Sequence, residues 1–550
     1  MSSLYRPRWP LLLILLAGIG GLIALTYLPS EPSGEARPAT GGAYVEGVAG
    51  APSAVNPLFA SFNEVDRDLT ALVFAGLVQL GPNGAVEPDL AGVPKVTPDG
   101  LSYIFELRRG LSWHDGEPLT AADVLFTVTI IQDPGFQGDP VLTELFRDVE
   151  ATARDERTVI MTLPQPFAPF LARAATVGIL PEHLLRGVDA DGLADARFNQ
   201  QPVGSGPFEL VELTPQAAVL APFDGYHFGR PFLEEVELRF YRDDASLFNA
   251  LRDGEVDGAL FRPGLDREEI EFIDGDPQWV RRSLHGTTYT LVYLNQEVPA
   301  FQDPLVRQAL QLGLDRNELI AEALGGQALP LDSPIVPDLW AYVGSPEAYA
   351  FNQAQANLLL EAAGAELDGD VRSQNELPFR FRLAASDDPL QARVAEEIAR
   401  QWGELGLAVD VEVSGASRFV EDVLLPRDFH AALVVVDPGP DPDPYPLWHS
   451  TQTIGEGRNL AGFASSTADR LLENGRLTTS AAERAAAYRS FQEIFARELP
   501  AVLLYTPAYQ YVVRADVQGL SPGLLLTLSA RFSDIQAWFM ERTTDTDDGE

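Results

Sequence analysis

Three carboxylates and two aromatic side chains lie close together in the stretch Asp437–Gln452. Prolines recur at every second position, at 438, 440, 442, 444 and 446. Each proline fixes φ and removes a backbone N–H, so the pattern excludes both a helix and a central strand and predicts a stiff, extended loop. This loop follows the apolar run Ala431–Val436, which is typical of a buried strand. It carries the candidate ligand-binding residues Asp437, Asp441, Asp443, Tyr445 and Trp448.

A rigid loop with acids and aromatic rings suits a recognition site, because its side chains are held before a ligand arrives. The alternative is a proline-stiffened surface loop whose acids merely face water. The residue types alone leave both interpretations open.

Catalytic and metal-site signatures are missing from the rest of the sequence. The six histidines lie far apart and none is three or four residues from another, so no sequence-local metal site is expected. Gly204-Ser205-Gly206 lacks the spacing of a nucleophile elbow and is read as a turn that needs glycine dihedrals. No phosphate-binding glycine motif occurs. We read Trp113-His-Asp-Gly116 as a turn around a core tryptophan, and expect no enzyme, no cofactor and no metal.

The composition is globular but strongly acidic, with 550 residues and a net charge of −41. Of the 39 basic residues, only Lys95 is a lysine. So negative a chain argues against nucleic acid or an anionic membrane surface as a partner. The absence of cysteine excludes disulfides, thiolate metal sites, cysteine nucleophiles and a lipid-modified cysteine. We expect a monomer.

The N-terminus carries the clearest topological signal. Arg6 and Arg8 precede the uncharged apolar run Leu11–Leu28, which is long enough to span a membrane. The positive flank stays inside, which places the body on the extracytoplasmic face. A cleaved signal peptide is the rival interpretation; we favour an uncleaved anchor over residues 1–28, followed by a linker over 29–43. The last ten residues, 541–550, are expected to be a disordered acidic tail.

Helical and strand patterns alternate along the chain, which predicts an α/β protein of several lobes. Asp66–Leu80 has helical periodicity, and Thr120 with Asp123 forms a capping box that opens a helix ending near Gln132. Asp303 and Asp315 are expected to cap two further helices. From Thr287 the strands become richer in β-branched and aromatic residues.

Several motifs in a fixed order resemble one family, the extracellular solute-binding proteins of family 5, which serve ABC importers of peptides, oligopeptides or nickel. The resemblance covers roughly residues 44–540. Its motifs include VNPL (55–58), FELRRGLSWHDGEPLTAADVLFT (105–127), PVGSGPF (202–208), DGYHFGRPFLEEVELRFYRD (224–243), FQDPLVRQALQLGLDRNELI (301–320) and DPDPYPLWHS (441–450).

The resemblance implies a two-lobed periplasmic-binding-protein fold of type II, cluster C-like, with an extra inserted domain. Lobe I would comprise 44–60, 199–288 and 505–540, the inserted domain 61–198, and lobe II 289–504. The change in strand composition at Thr287 coincides with one of the points where the chain would pass from one lobe to the other.

The implied function is the capture of peptides between the lobes and their delivery to permease subunits with their ATPases. One of Asp437, Asp441 and Asp443 would take the ligand's ammonium group. The segment 59–63, with Ser61 and Phe62, and the segment 434–436, with Val435, would offer backbone edges. Aromatic walls would come from Tyr289, Tyr293 and Trp448, for which plain core packing is the alternative. Other open alternatives are an anchored ligand sensor and a receptor for a nickel complex or an oligosaccharide.

Overall fold

The computed structural model describes residues 40–345, 350–374 and 377–541. The predicted anchor at Leu11–Leu28 and the tail residues 542–550 lie outside these ranges. Within them, no helix has the length and apolarity needed to cross a membrane. Glu541 is described, and its N–H donates to the carbonyl of Asp516 at 2.8 Å.

The strands are numbered along the described chain. They are β1 (Ala43–Ala49), β2 (Val78–Leu80), β3 (Val86–Pro88), β4 (Lys95–Val96), β5 (Ser102–Glu106), β6 (Glu150–Asp155), β7 (Thr158–Thr162), β8 (Phe208–Leu213), β9 (Ala217–Pro222), β10 (Glu235–Tyr241), β11 (Gly258–Phe261), β12 (Trp279–His285), β13 (Tyr289–Leu294), β14 (Ala328–Pro330), β15 (Ala365–Asp368), β16 (Val371–Gln374), β17 (Leu377–Pro378), β18 (Arg380–Ser386), β19 (Ala408–Ser414), β20 (Ala431–Val436), β21 (Ala501–Arg514), β22 (Val517–Gln518) and β23 (Phe539–Met540).

The helices are numbered in the same way. They are α1 (Glu64–Val73), α2 (Ala121–Gln132), α3 (Pro140–Phe146), α4 (Phe170–Arg173), α5 (Glu182–Leu185), α6 (Asp244–Arg252), α7 (Arg267–Gly275), α8 (Pro304–Leu312), α9 (Arg316–Leu324), α10 (Gln353–Ala362), α11 (Pro389–Glu404), α12 (Ala416–Arg418), α13 (Tyr445–Trp448), α14 (Ser466–Leu477) and α15 (Ala481–Glu498). A π-helical turn covers Phe419–Leu424, and short 3₁₀ turns cover Ala60–Phe62, Ala190–Asp195, Arg197–Gln200, Pro299–Phe301, Ser450–Thr453, Leu528–Phe532 and Ile535–Ala537.

Twelve of these strands form one mixed sheet in the order β19-β18-β20-β13-β21-β11-β1-β10-β9-β8, with β12 and β14 also paired to β21. The first half of β21 pairs with β13 and β14, and its second half with β11 and β12. We call β1 and β8–β12 the first-lobe strands, and β13, β14 and β18–β20 the second-lobe strands. The two groups are therefore joined through a single shared strand.

The segment 61–198 adds a four-stranded sheet, β4-β5-β7-β6, beside the first-lobe strands. One hydrophobic core runs from this segment into the first lobe and contains Trp113, Phe170, Leu220 and Trp538. In the second lobe, β13 is buried on both faces. Val292 enters one core with Trp402, and Tyr293 enters the other with Trp448. Such two-sided burial explains why β13 reads as an unbroken apolar and aromatic run.

Capping signals read from the sequence are confirmed. Thr120 and Asp123 form a reciprocal capping box at α2, which ends at Gln132 as predicted. The carboxylate of Asp303 accepts from the N–H of Leu305, and that of Asp315 from the N–H groups of Asn317 and Glu318. These caps depend on local chemistry alone, which is why sequence reading found them.

The helix predicted over Asp66–Leu80 is wrong in its bounds. Its N-cap is Asn63, whose side chain accepts from the N–H of Val65, and α1 ends at Val73. A side chain at Gly76 would place a Cβ 2.7 Å from the carbonyl oxygen of Thr176, so the chain passes close to another segment there. Residues 78–80 then pair as β2 with β3. Tertiary packing ended the helix early despite its continuing apolar pattern.

The reason for glycine at 204 and 206 also differs from the prediction. Neither residue has a positive φ. Instead, a Cβ on Gly204 would fall 1.8 Å from the carbonyl oxygen of Val73, and one on Gly206 would fall 2.6 Å from that of Leu72. The glycines allow this loop to pack directly against the C-terminal end of α1, so their role is close approach.

His114 is held against the same glycine loop. The N–H of Gly204 donates to Nδ1 at 3.2 Å, and Nε2 lies 3.1 Å from the carbonyl oxygen of Gly206. Burial lowers the pKa of His114 from 6.5 to about 4. The neutral ring is therefore the form that the folded protein prefers.

We predict that His114→Gln makes the free energy of unfolding less dependent on pH. Because the folded-state pKa lies below the unfolded one, the unfolded chain binds more protons as the pH falls. The neutral His114 ring therefore contributes its full stabilisation of the folded state above pH 6.5. This contribution to the free energy of unfolding, roughly 3 kcal/mol, is lost as the pH falls towards 4. Urea unfolding between pH 7 and pH 4 measures it. If the free energy of unfolding falls equally in wild type and His114→Gln over this pH range, the lowered pKa of His114 would be contradicted.

Candidate functional site

Asp437 begins the proline loop immediately after β20 and is exposed. Its Oδ1 accepts hydrogen bonds from the hydroxyl of Thr287 at 3.1 Å and from the N–H of Gly439 at 2.8 Å. Its other oxygen, Oδ2, receives no hydrogen bond from the described residues. Thr287 is buried in the connection between β12 and β13, so its hydroxyl holds the Asp437 carboxylate in a fixed orientation. The arrangement leaves one oriented carboxylate oxygen for an external donor.

Asp441 and Asp443 are placed quite differently. Asp441 is 2% exposed and accepts two bonds from Arg484 of α15, at 3.1 and 2.7 Å. Asp443 is 1% exposed and accepts two bonds from Arg476 of α14, at 3.0 and 2.8 Å. Burial alone would lower the pKa of Arg484, but the Asp441 carboxylate and the Tyr488 phenol together raise it. These two acids fasten the loop to α14 and α15, so Asp437 is the only one of the three loop aspartates with an exposed carboxylate.

The expectation of a wholly extended loop is wrong at its C-terminal end. Residues Tyr445–Trp448 form the short helix α13, with Pro446 in its first turn. A proline there costs no hydrogen bond, because the first N–H groups of a helix have no partner within it. The pattern of alternating prolines therefore did not exclude a helix that begins inside it.

One edge of β20 is partly unpaired. All six residues of β20 pair with β13, but on the other side only Ala431 and Ala432 pair with β18. Among the described strands, none pairs with the edge from Leu433 to Val436. Val435 is 47% exposed there. An unpaired edge that ends at an oriented carboxylate can add an extended chain as a further strand.

The segment 59–63 does not provide the second edge that was expected. Ala60–Phe62 is a 3₁₀ turn, in which the N–H of Phe62 donates to Phe59 and that of Asn63 to Ala60. The carbonyl of Ser61 accepts from Arg67 at 2.6 Å. The Phe62 ring is 65% exposed, whereas the Ser61 hydroxyl is buried and has no hydrogen-bond partner among the described residues.

Three aromatic residues expected to line the site lie in the second-lobe core. Tyr289, Tyr293 and Trp448 are at most 1% exposed. The Tyr293 and Trp448 rings are 5.6 Å apart between centroids, and Trp448 packs on Phe495 at 4.7 Å. The packing favours the core alternative for these three. Tyr445 is only partly buried; its ring stacks on His449 at 4.1 Å, and the Arg476 guanidinium lies 4.0 Å from its centroid.

Tyr509, which sequence reading missed, has charged groups from distant parts of the chain around it. Burial raises the pKa of its phenol, the Arg262 guanidinium opposes this, and the carboxylates of Glu64 and Asp437 both add to the rise. Glu64 begins α1, whereas Asp437 belongs to the second lobe. Carboxylates that are far apart in sequence therefore act on one ring, and no sequence pattern could have revealed that meeting.

Comparisons with known proteins bear on the family of this chain. Residues 85–456 match the model of the bacterial extracellular solute-binding proteins, family 5. Protein XP55 of Streptomyces lividans is 31% identical over 481 residues, which cover 86% of this chain and 83% of that protein. The chain belongs to solute-binding protein family 5.

Two further relatives bear on this solute-binding protein. The oligopeptide-binding protein AppA of Bacillus subtilis is 26% identical, covering 88% of this chain and 89% of AppA. The solved structure of AppA, in complex with a nonapeptide, aligns with a TM-score of 0.65 at 24% identity. The alignment covers 92% of this chain and 100% of the AppA chain. HbpA2 of Haemophilus parasuis aligns with a TM-score of 0.78 at 22% identity, and the alignment covers 91% of this chain and 100% of HbpA2. The fold is thus the two-lobed periplasmic-binding-protein fold with mixed α/β content.

The different surroundings of the loop aspartates predict different effects on stability. Asp441→Asn leaves the buried Arg484 without a countercharge, so the free energy of unfolding should fall by about 3 kcal/mol. Asp437→Asn removes an exposed charge and should change it by less than about 0.5 kcal/mol. Urea unfolding of the solute-binding protein at pH 7 measures both. Equal losses in the two variants would refute the division of roles.

Proposed function

We propose that this family 5 protein is an extracytoplasmic receptor that captures di- or oligopeptides between its lobes and delivers them to an ABC importer. The observation that carries the proposal is the unpaired edge of β20 ending at the exposed Asp437 carboxylate. Relatives named as peptide-binding proteins, AppA among them, support the ligand class. The partners would be permease subunits with their ATPases.

Asp437 would take the ammonium group of the bound peptide. Its Oδ1 is held by Thr287 and Gly439, which leaves Oδ2 to accept a charge-assisted hydrogen bond. The peptide backbone would then pair along Leu433–Val436, and its side chains would project alternately to either side. Glu64, across the site near Tyr509, adds negative potential that favours a cationic end group.

We propose the domain division 44–60, 199–288 and 505–540 for lobe I, 61–198 for the inserted domain and 289–504 for lobe II, in the cluster C-like arrangement. Two features support these boundaries. Only residues 286–288 separate β12 from β13, and β21 changes partners around Pro507. Ligand-driven closure would bend the chain at these two neighbouring crossings.

Leu11–Leu28 is proposed as an uncleaved membrane anchor that holds the receptor near its permease and raises its effective concentration there. Expression of the full chain in a bacterial host, followed by fractionation, should leave it with the membranes. A variant lacking residues 1–39 and fused to a cleavable signal peptide should appear in the soluble extracytoplasmic fraction. Full-length protein that is soluble and begins after residue 28 would show a cleaved signal instead.

Binding of a free peptide amino terminus should depend on Asp437. We expect Asp437→Asn to weaken trialanine binding by about 10- to 100-fold, since a hydrogen bond to a charged group contributes about 1.5–3 kcal/mol. Isothermal titration calorimetry measures it. Asp370→Asn, which changes an exposed acid on the β15–β16 hairpin, is the matched control and should leave the affinity unchanged.

N-acetyl-trialanine separates the role of Asp437 in holding the ammonium group from the binding of the rest of the peptide. It should bind wild type and Asp437→Asn equally weakly, because it has no ammonium group. Equal trialanine affinity in wild type and Asp437→Asn would remove Asp437 from the site. A protein that ignores all peptides but binds a nickel complex or an oligosaccharide would overturn the peptide assignment.

A further inference from the structure

A cavity of about 580 Å³ lies where the segment 61–198 meets the second lobe. That volume is typical of small-molecule pockets. Its wall is mostly apolar, with one contribution from the second lobe, Arg476 of α14. The apolar residues are Pro140, Val141, Leu145, Val149, Leu163, Pro164, Phe167 and Phe170. Val141 is 55% exposed at the rim. Water molecules in such a space would find few hydrogen-bond partners on its walls, so an apolar group would be favoured there.

Arg173 supplies a polar group to this wall. Its Nη2 donates to the carbonyl of Pro438 at 3.0 Å, while its Nε is buried and has no hydrogen-bond partner among the described residues. An unsatisfied buried donor is unfavourable, so a ligand oxygen would be stabilised there. The other arginine on the wall, Arg476, is already held by Asp443 and by the Tyr445 ring. The acids Glu144 and Asp148 are exposed.

Arg173 links the cavity to the backbone beside the acid assigned to the peptide ammonium. Arg173 contacts the carbonyl of Pro438, the residue directly after Asp437. A short peptide whose ammonium lies on Asp437 therefore begins beside the wall that Arg173 shares with the cavity. The apolar walls suit a side chain, and the Arg173 Nε suits a main-chain carbonyl or carboxylate oxygen.

We propose that this cavity is a specificity pocket for a large apolar side chain of the bound peptide, such as phenylalanine, with Arg173 donating to a main-chain oxygen beside it. The inference rests on the proposed peptide-binding function and adds a substrate class to it. The receptor thus prefers peptides that carry an aromatic or long aliphatic residue.

The test compares trialanine with Phe-Ala-Ala, Ala-Phe-Ala and Ala-Ala-Phe by calorimetry on the full chain. We expect at least one phenylalanine peptide to bind 10-fold or more tightly than trialanine. Val141→Trp, which narrows the cavity from its rim, should reduce that preference below 3-fold. Val211→Trp is the matched control, because Val211 is also an exposed valine, 64% exposed, and does not line the cavity. It should retain the preference.

The outcomes separate the two proposals. Equal binding of all four tripeptides overturns the pocket and leaves the peptide receptor standing, whereas no binding of any overturns the receptor itself. If Val141→Trp melts below the temperature of the assay, Leu145→Trp, on the same face of α3, replaces it. Decanoate binding that is lost in Val141→Trp, with tripeptide binding unaffected, would overturn the peptide pocket in favour of a site for lipid carboxylates.

Discussion

The shared strand β21 constrains everything else in this protein. Its first half completes the second-lobe sheet and its second half the first-lobe sheet. A buried strand must keep its backbone groups paired, so the lobes cannot separate without breaking both ladders. Pro507, which has no N–H to donate, lies where the partners change, and the Thr506 hydroxyl donates to the carbonyl of Thr288 in the neighbouring crossing at 2.9 Å. Rotation about these crossings is the motion that such a connection leaves available.

The proline loop shows how buried ion pairs can serve geometry more than stability. Removing Asp441 and Asp443 from water is costly, and their arginines offset that cost only because each makes two well-directed bonds. The benefit is a loop tied to α14 and α15 at two points. Asp437, directly before the first of the five prolines, is thereby kept at the end of β20 with one oxygen unused by the described residues.

A second buried cluster arranges the opposite side of the site. Arg531, from the C-terminal part of the chain, bonds Glu46 of β1 at 2.7 Å and Asp68 of α1 at 2.8 and 2.6 Å. Burial would lower the pKa of this guanidinium, but the two carboxylates raise it. The cluster fixes α1 against the first-lobe sheet, and so fixes Glu64 at the helix start near Tyr509.

The sequence by itself determined the elements and signals that depend on neighbouring residues: the caps at Thr120, Asp303 and Asp315, the strand before Asp437, and the family motifs that implied two lobes. It could not rank Asp437, Asp441 and Asp443, because their difference lies in Arg484, Arg476 and Thr287, which are distant along the chain. Nor could it place Tyr289, Tyr293 and Trp448, since a ring suits a core and a ligand wall equally. Tertiary structure decided these points, because burial and ion pairing depend on which segments meet in space.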